Sequence, residues 1–118
     1  WRELRRVILP LAGIIMAQGF MIVALSTFLP TFLSSEGASL FRKFSCNACH
    51  GIENKIVGPS MKDVMSKYAG RSDGVNYLTG KIVSGGTGVW GAIPMPAQTL
   101  SPEDAKTIAR WIADGAKP

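Results

Sequence analysis

Two hydrophobic patterns divide the chain. From Val7 through Ser35 apolar residues run almost continuously, with no charged residue among them. Beyond Glu36, apolar positions recur between polar ones at the spacing of amphipathic helices. The clearest helix begins at Ser101-Pro102-Glu103-Asp104, which combines an N-cap serine, a proline at the first helical position and acids in the first turn. Ala105, Ile108, Ala109 and Ile112 then fall on one face, and Gly115 marks the end. Residues 61–69 and 72–84 read as two more helices, and Leu40, Phe41 and Phe44 as a short amphipathic turn. Gly85-Gly86-Thr87-Gly88 holds too much glycine for regular structure and reads as a loop. It is not a phosphate-binding loop, because no strand precedes it and no Gly-Lys-Ser/Thr follows. The expected fold class is all-α, with no repeats.

The charge-free run has a second implication. At about 1.5 Å per residue, about twenty apolar residues cross a bilayer, so this run is long enough to do so with some tilt. Arg2, Arg5 and Arg6 precede it, which places the N-terminus in the cytoplasm by the positive-inside rule. A cleavable signal peptide shares that positive start, but its apolar core is about 7–15 residues and it ends in an A-x-A-like site. Leu33-Ser34-Ser35 and Ser35-Glu36-Gly37 are poor sites of that kind. The expected organisation is one transmembrane helix over residues 1–35 and a second domain over residues 36–118 on the far side of the membrane. Ser34–Ser39 would be the only tether.

Composition refines this picture modestly. The chain is formally +5, and the part beyond residue 35 keeps +3, with ten basic residues against seven acidic. The basic residues are scattered and form no stripe, so nucleic-acid binding is not expected. A mild positive excess can steer docking onto an acidic partner, and it equally describes an ordinary solvated surface.

The chemistry is concentrated in five residues. Cys46-Asn47-Ala48-Cys49-His50 contains both cysteines and the single histidine of the chain. Two thiols at this spacing, followed at once by an imidazole, meet the requirement for covalent haem attachment, one cysteine adding to each vinyl group. Structural zinc needs four ligands and these residues offer three. A thioredoxin-like pair would follow a strand, and no β-branched run precedes Cys46. A disulfide across two intervening residues is strained and closes almost no loop. Haem c is the expected cofactor.

A six-coordinate haem used for electron transfer commonly pairs His with Met. Met16 and Met21 lie in the apolar run, and Met61 and Met65 sit one turn apart on an expected helix, where Met fills core. Met95 stands between two prolines in Ile93-Pro94-Met95-Pro96, where fixed φ on both flanks holds one side chain in a loop. Met95 is therefore the expected second ligand beside His50.

Several motifs together resemble the short class I cytochromes c of bacteria, the small periplasmic monohaem electron carriers. They are Leu40-Phe41, the Cys46–His50 motif, Val57-Gly58-Pro59, Lys62-Asp63-Val64, Gly88-Val89-Trp90-Gly91, Ile93-Pro94-Met95-Pro96 and Ala109-Arg110-Trp111-Ile112. The resemblance covers about Gly37 to Ala116. It implies a class I cytochrome c fold, four to five short helices around a covalently bound haem, with thioether bonds at Cys46 and Cys49 and axial ligands His50 and Met95. It implies that the Pro59 carbonyl accepts the His50 Nδ1 proton and that Trp90 donates its indole N–H to a buried haem propionate. Lys81 stands where a basic residue often pairs with a propionate; an exposed helix lysine reads equally well there. Relatives often place an asparagine downstream of the methionine to bond its sulfur, and here the position reads Gln98.

The function implied is one-electron transfer without substrate chemistry, catalytic residues or a small-molecule substrate. With the anchor, the haem domain is expected on the periplasmic side of a bacterial inner membrane, in contact with the lipid bilayer through its span. The expected partner is a membrane redox complex: a quinol-oxidising complex, terminal oxidase, reductase or photosynthetic centre, with this chain as bound subunit or close associate. A free-standing anchored shuttle is the alternative, and a peroxidase or gas sensor with a labile Met95 is a further one.

Overall fold

The computed structural model describes residues 19, 22, 23, 26, 32 and 35–117. Its contacts divide the chain into two units, Trp1–Phe32 and Leu33–Pro118, a few residues before the boundary expected at 35/36. In the first unit the described residues are helical and exposed. Among the described residues no helix is long and apolar enough to cross a membrane. The expected span falls almost wholly outside them.

The second unit is all-α. Among its described residues, helix α1 runs through residues 35–43, followed by a 3-10 turn at Cys46–Ala48, α2 at Met61–Tyr68, α3 at Gly74–Ser84 and α4 at Pro102–Ala113. The expected tether is therefore corrected. Residues 35–39 belong to α1, with Gly37 and Ala38 buried in the domain. The physical reason is a close helix crossing: a Cβ on Gly37 would lie 2.8 Å from Trp111 Cγ and 3.2 Å from the Thr107 carbonyl oxygen. Only glycine lets α1 approach α4 this closely.

Helix α4 is the spine of the unit and packs on both α2 and α3. Ser101 caps it by accepting from the Asp104 N–H at 3.0 Å, with Pro102 in the first turn. Its end is set by Gly115 at φ 104°, after which the Ala116 N–H returns to the Trp111 carbonyl at 2.9 Å. Ala105, Ile108, Ala109, Trp111 and Ile112 are buried together with Phe41, Met61, Val64, Leu78 and Ile82. Trp111 packs tilted against Phe41 at 5.0 Å between ring centroids, and its indole N–H donates to the Lys117 carbonyl at 2.7 Å.

Helix α2 starts at the fully buried Ser60, whose Oγ accepts from the Asp63 N–H at 3.0 Å and donates to the Asp63 carboxylate at 2.7 Å. Helix α3 begins two residues later than its pattern predicts. Asp73 is its N-cap residue, and its carboxylate makes no cap bond but pairs with the Arg71 guanidinium at 2.8 and 2.9 Å. That pairing holds the Asp73 carboxyl below its ordinary value.

Candidate functional site

The first wall of the site is the chain from Ser45 to Pro59. Ser45 takes a left-handed φ of 56° and opens the 3-10 turn, in which the Cys46 carbonyl accepts from the N–H groups of Cys49 (3.2 Å) and His50 (2.9 Å). Both thiols and the imidazole are thus carried on a single tight turn. The chain then folds back, the Cys49 carbonyl accepting from Val57 at 3.1 Å and Gly58 at 2.9 Å. The start of α2 is tied to the same segment by Met61 N–H to Gly51 O at 2.9 Å and Lys62 N–H to Ile52 O at 3.1 Å.

These backbone bonds bring the Pro59 carbonyl to 2.8 Å from His50 Nδ1. A carbonyl only accepts, so Nδ1 carries a proton, and in the neutral ring Nε2 is then the nitrogen whose lone pair faces a metal. Gly58 lies directly against the ring: a Cβ there would sit 2.8 Å from Nδ1, 3.0 Å from Nε2 and closer still to Cε1. Burial is the largest influence on the Cys46 thiol and pushes it above its ordinary value. An attacking redox thiol needs the opposite shift. Among the described residues no three His, Cys, Asp or Glu side chains converge on a metal position, so a zinc site finds no ligand set.

The second wall is the strap after α3. Gly86 and Met95 face one another as an isolated antiparallel bridge, with Gly86 N–H to Met95 O at 3.0 Å and Met95 N–H to Gly86 O at 2.8 Å. The Gln98 side-chain amide donates to the Pro96 carbonyl at 2.9 Å, and its backbone N–H reaches Ile82 O at 3.3 Å.

A cavity of about 550 Å³ lies between these segments, and all seven residues expected to serve the cofactor line it: Cys46, Cys49, His50, Pro59, Lys81, Trp90 and Met95. Leu78, Ile82, Ile108 and Ile112 make part of its apolar lining. The volume suits one prosthetic group, within the range of about 300–1,000 Å³ usual for ligand sites. Met61 is core, as its position on α2 predicts, and Met65 is partly buried against that core.

The rim carries aromatic and basic groups that sequence reasoning singled out only in part. Lys81 is exposed, with Nζ 5.6 Å above the Tyr77 ring. Tyr77 packs on Tyr68 at 5.1 Å, Tyr68 meets Trp90 edge-on at 6.5 Å, and Lys67 Nζ lies 4.6 Å above the Trp90 ring. Burial raises the Tyr68 hydroxyl from its ordinary value, and the neighbouring Tyr77 adds to the effect. Trp90, expected to donate its indole N–H to a haem propionate, lines the cavity at its rim and is 38% exposed. It stands on a tight loop between Gly88 and Gly91, whose φ values are 86° and 128° and whose ends are joined by the Gly88 N–H to Gly91 O bond at 3.1 Å.

The donor set fits haem c. Two cysteines could meet the vinyl groups, an imidazole and a thioether could meet iron, and apolar side chains could pack on the macrocycle. Fold and site together define a c-type haem protein. Comparison with known proteins narrows the class: the chain belongs to the cytochrome c family, whose model, described as Cytochrome c, matches residues 34–116. It is 49% identical over 78 residues to cytochrome c-551 of Pseudomonas denitrificans, covering 66% of this chain and 95% of that one. It is 47% identical over 90 residues to cytochrome c-552 of Nitrosomonas europaea, covering 75% and 87%. The crystal structure of wild-type Nitrosomonas europaea cytochrome c552 superposes with a TM-score of 0.65 at 49% identity, over 66% of this chain and 98% of that one. The protein carries one covalently bound haem c and is an electron-transfer protein, not an enzyme.

Proposed function

We propose that this chain is a membrane-anchored one-electron carrier that works as a subunit or close associate of a membrane redox complex, with thioether bonds at Cys46 and Cys49 and axial ligands His50 and Met95. The observation that carries the ligand assignment is the 2.8 Å bond from His50 Nδ1–H to the Pro59 carbonyl. It fixes the tautomer, leaves Nε2 free for iron and makes the ring a more basic donor. Haem supplies a reversible ferric–ferrous couple when bound. The chain's own groups would hold it: Met95 would offer its thioether from a braced strap opposite His50, and the apolar lining would keep water out. A haem held by both side chains would leave oxygen and peroxide no open position, which favours the carrier over the sensor or peroxidase reading. Lys81 supplies positive charge at the rim and Trp90 an indole N–H, each for a propionate.

The anchor is read from the charge-free run over 7–35 and the three arginines before it. Because residues 35–39 are part of α1, they add no reach, and a partner in the same membrane is favoured over a distant one. Membranes from cells making the protein should retain the haem after an alkaline carbonate wash. Gentle detergent extraction should then show it co-migrating with a larger redox complex. Release by carbonate would overturn the anchor, and migration as a small monomer would overturn the complex.

A further inference from the structure

We propose that Gly85 is a positioning residue for Met95: through the Gly85–Gly86 turn it latches the methionine strap to the end of α3 and so sets how firmly the thioether is held. The proposal rests on Met95 being the second axial ligand.

Gly85 closes α3, its N–H donating to Lys81 O at 2.9 Å, and it adopts φ 69°, ψ −162°. That region is open essentially to glycine alone. The space is equally restrictive. A Cβ on Gly85 would lie 2.8 Å from Ala97 N and from the Pro96 carbonyl carbon, and closer still to Met95 O. All three are backbone atoms of the strap, so no side-chain rotation relieves the clash.

What the turn secures is the Met95 backbone. Pro94 and Pro96 have no N–H, so Met95 supplies the one backbone donor of that tripeptide, and it is committed to Gly86 O at 2.8 Å. The Met95 carbonyl accepts from Gly86 N–H in return at 3.0 Å. Beyond the tripeptide the Gln98 N–H reaches Ile82 O, so the strap is fastened a second time, C-terminal to the latch, to a helix whose Leu78 and Ile82 are core. With the backbone fixed in this way, the sulfur leaves its position only by rotation of its own side chain. Opening the latch adds movement of the whole strap.

The test uses the haem-loaded full chain and five variants: Gly85→Ala, Gly86→Pro, Gly80→Ala, Trp111→Phe and Met95→Ala. Two readouts are followed, the charge-transfer absorption of ferric haem with a thioether ligand and the rate at which added imidazole displaces that ligand. Gly85→Ala should weaken the band and accelerate displacement about tenfold or more, the scale set by losing two backbone hydrogen bonds. Gly86→Pro removes one N–H donor without a Cβ at position 85 and should accelerate displacement in the same direction. Gly80→Ala, in the same helix with nothing within 4 Å of the added Cβ, should behave as the parent protein. Trp111→Phe, which lowers stability away from the strap, should leave the displacement rate unchanged and so separates positioning from general loosening. If Gly85→Ala and Gly86→Pro exchange at the parental rate while Met95→Ala abolishes the band, the latch proposal is overturned and the ligand assignment stands. If Met95→Ala leaves the band intact, the ligand assignment itself fails, and the latch with it.

Discussion

Trp111→Ala is expected to remove about 3–5 kcal/mol of stability, the usual cost of truncating a buried tryptophan. The domain has about eighty residues, a size at which total stability lies toward the low end of the usual 5–15 kcal/mol. The side chain is 2% exposed, closes on Gly37, packs on Phe41 and donates its indole N–H to Lys117 O. Its loss opens a cavity where α1 crosses α4. Trp111→Phe should cost much less, since most of the apolar volume remains and the freed Lys117 carbonyl, on an exposed residue, returns to water. Denaturant unfolding of the holoprotein followed by far-ultraviolet circular dichroism measures both. Equal losses in the two variants would place the effect in the hydrogen bond and not in the helix crossing.

Gly58→Ala acts on the cofactor instead. Its Cβ would overlap the His50 ring at Nδ1 and Cε1, so the ring must shift and the 2.8 Å bond to Pro59 must lengthen or break. Loss of an outer-shell partner of this kind typically weakens a metal–ligand bond by about 10–100-fold. The ferrous protein is diamagnetic, so the Nδ1 proton is open to nuclear magnetic resonance. In the parent it should exchange slowly with solvent, and in Gly58→Ala quickly or not at all visibly. Val57→Ala, next in the chain but 45% exposed, should leave that proton unaffected. Slow exchange retained in Gly58→Ala would mean that the ring is not seated on Gly58.

Much of this arrangement was legible in the sequence because it is local. The start of α4 follows from Ser101, Pro102, Glu103 and Asp104, whose capping chemistry acts within one turn. The Cys46–His50 turn follows from a five-residue motif, and the isolation of Met95 from its two prolines. Long-range contacts were not legible. Nothing in the spacing of Gly37 says that Trp111 lies against it, so residues 35–39 read as a tether and proved to be helix. Gly85 read as generic loop glycine because its constraint comes from Met95 and Ala97, many residues away in the chain. The Arg71–Asp73 pair, which takes the Asp73 carboxylate away from the start of α3, is likewise a competition that helix periodicity does not record.

The proposed centre is a haem whose two axial ligands, His50 and Met95, both come from this chain. The direct measurement is the optical spectrum of the purified holoprotein, ferric and ferrous, before and after carbon monoxide, beside that of Met95→Ala. The parent should be low-spin in both states and unchanged by carbon monoxide, while Met95→Ala should turn high-spin and bind the gas. A parent protein that is high-spin, or that takes up carbon monoxide as readily as the variant, would contradict it.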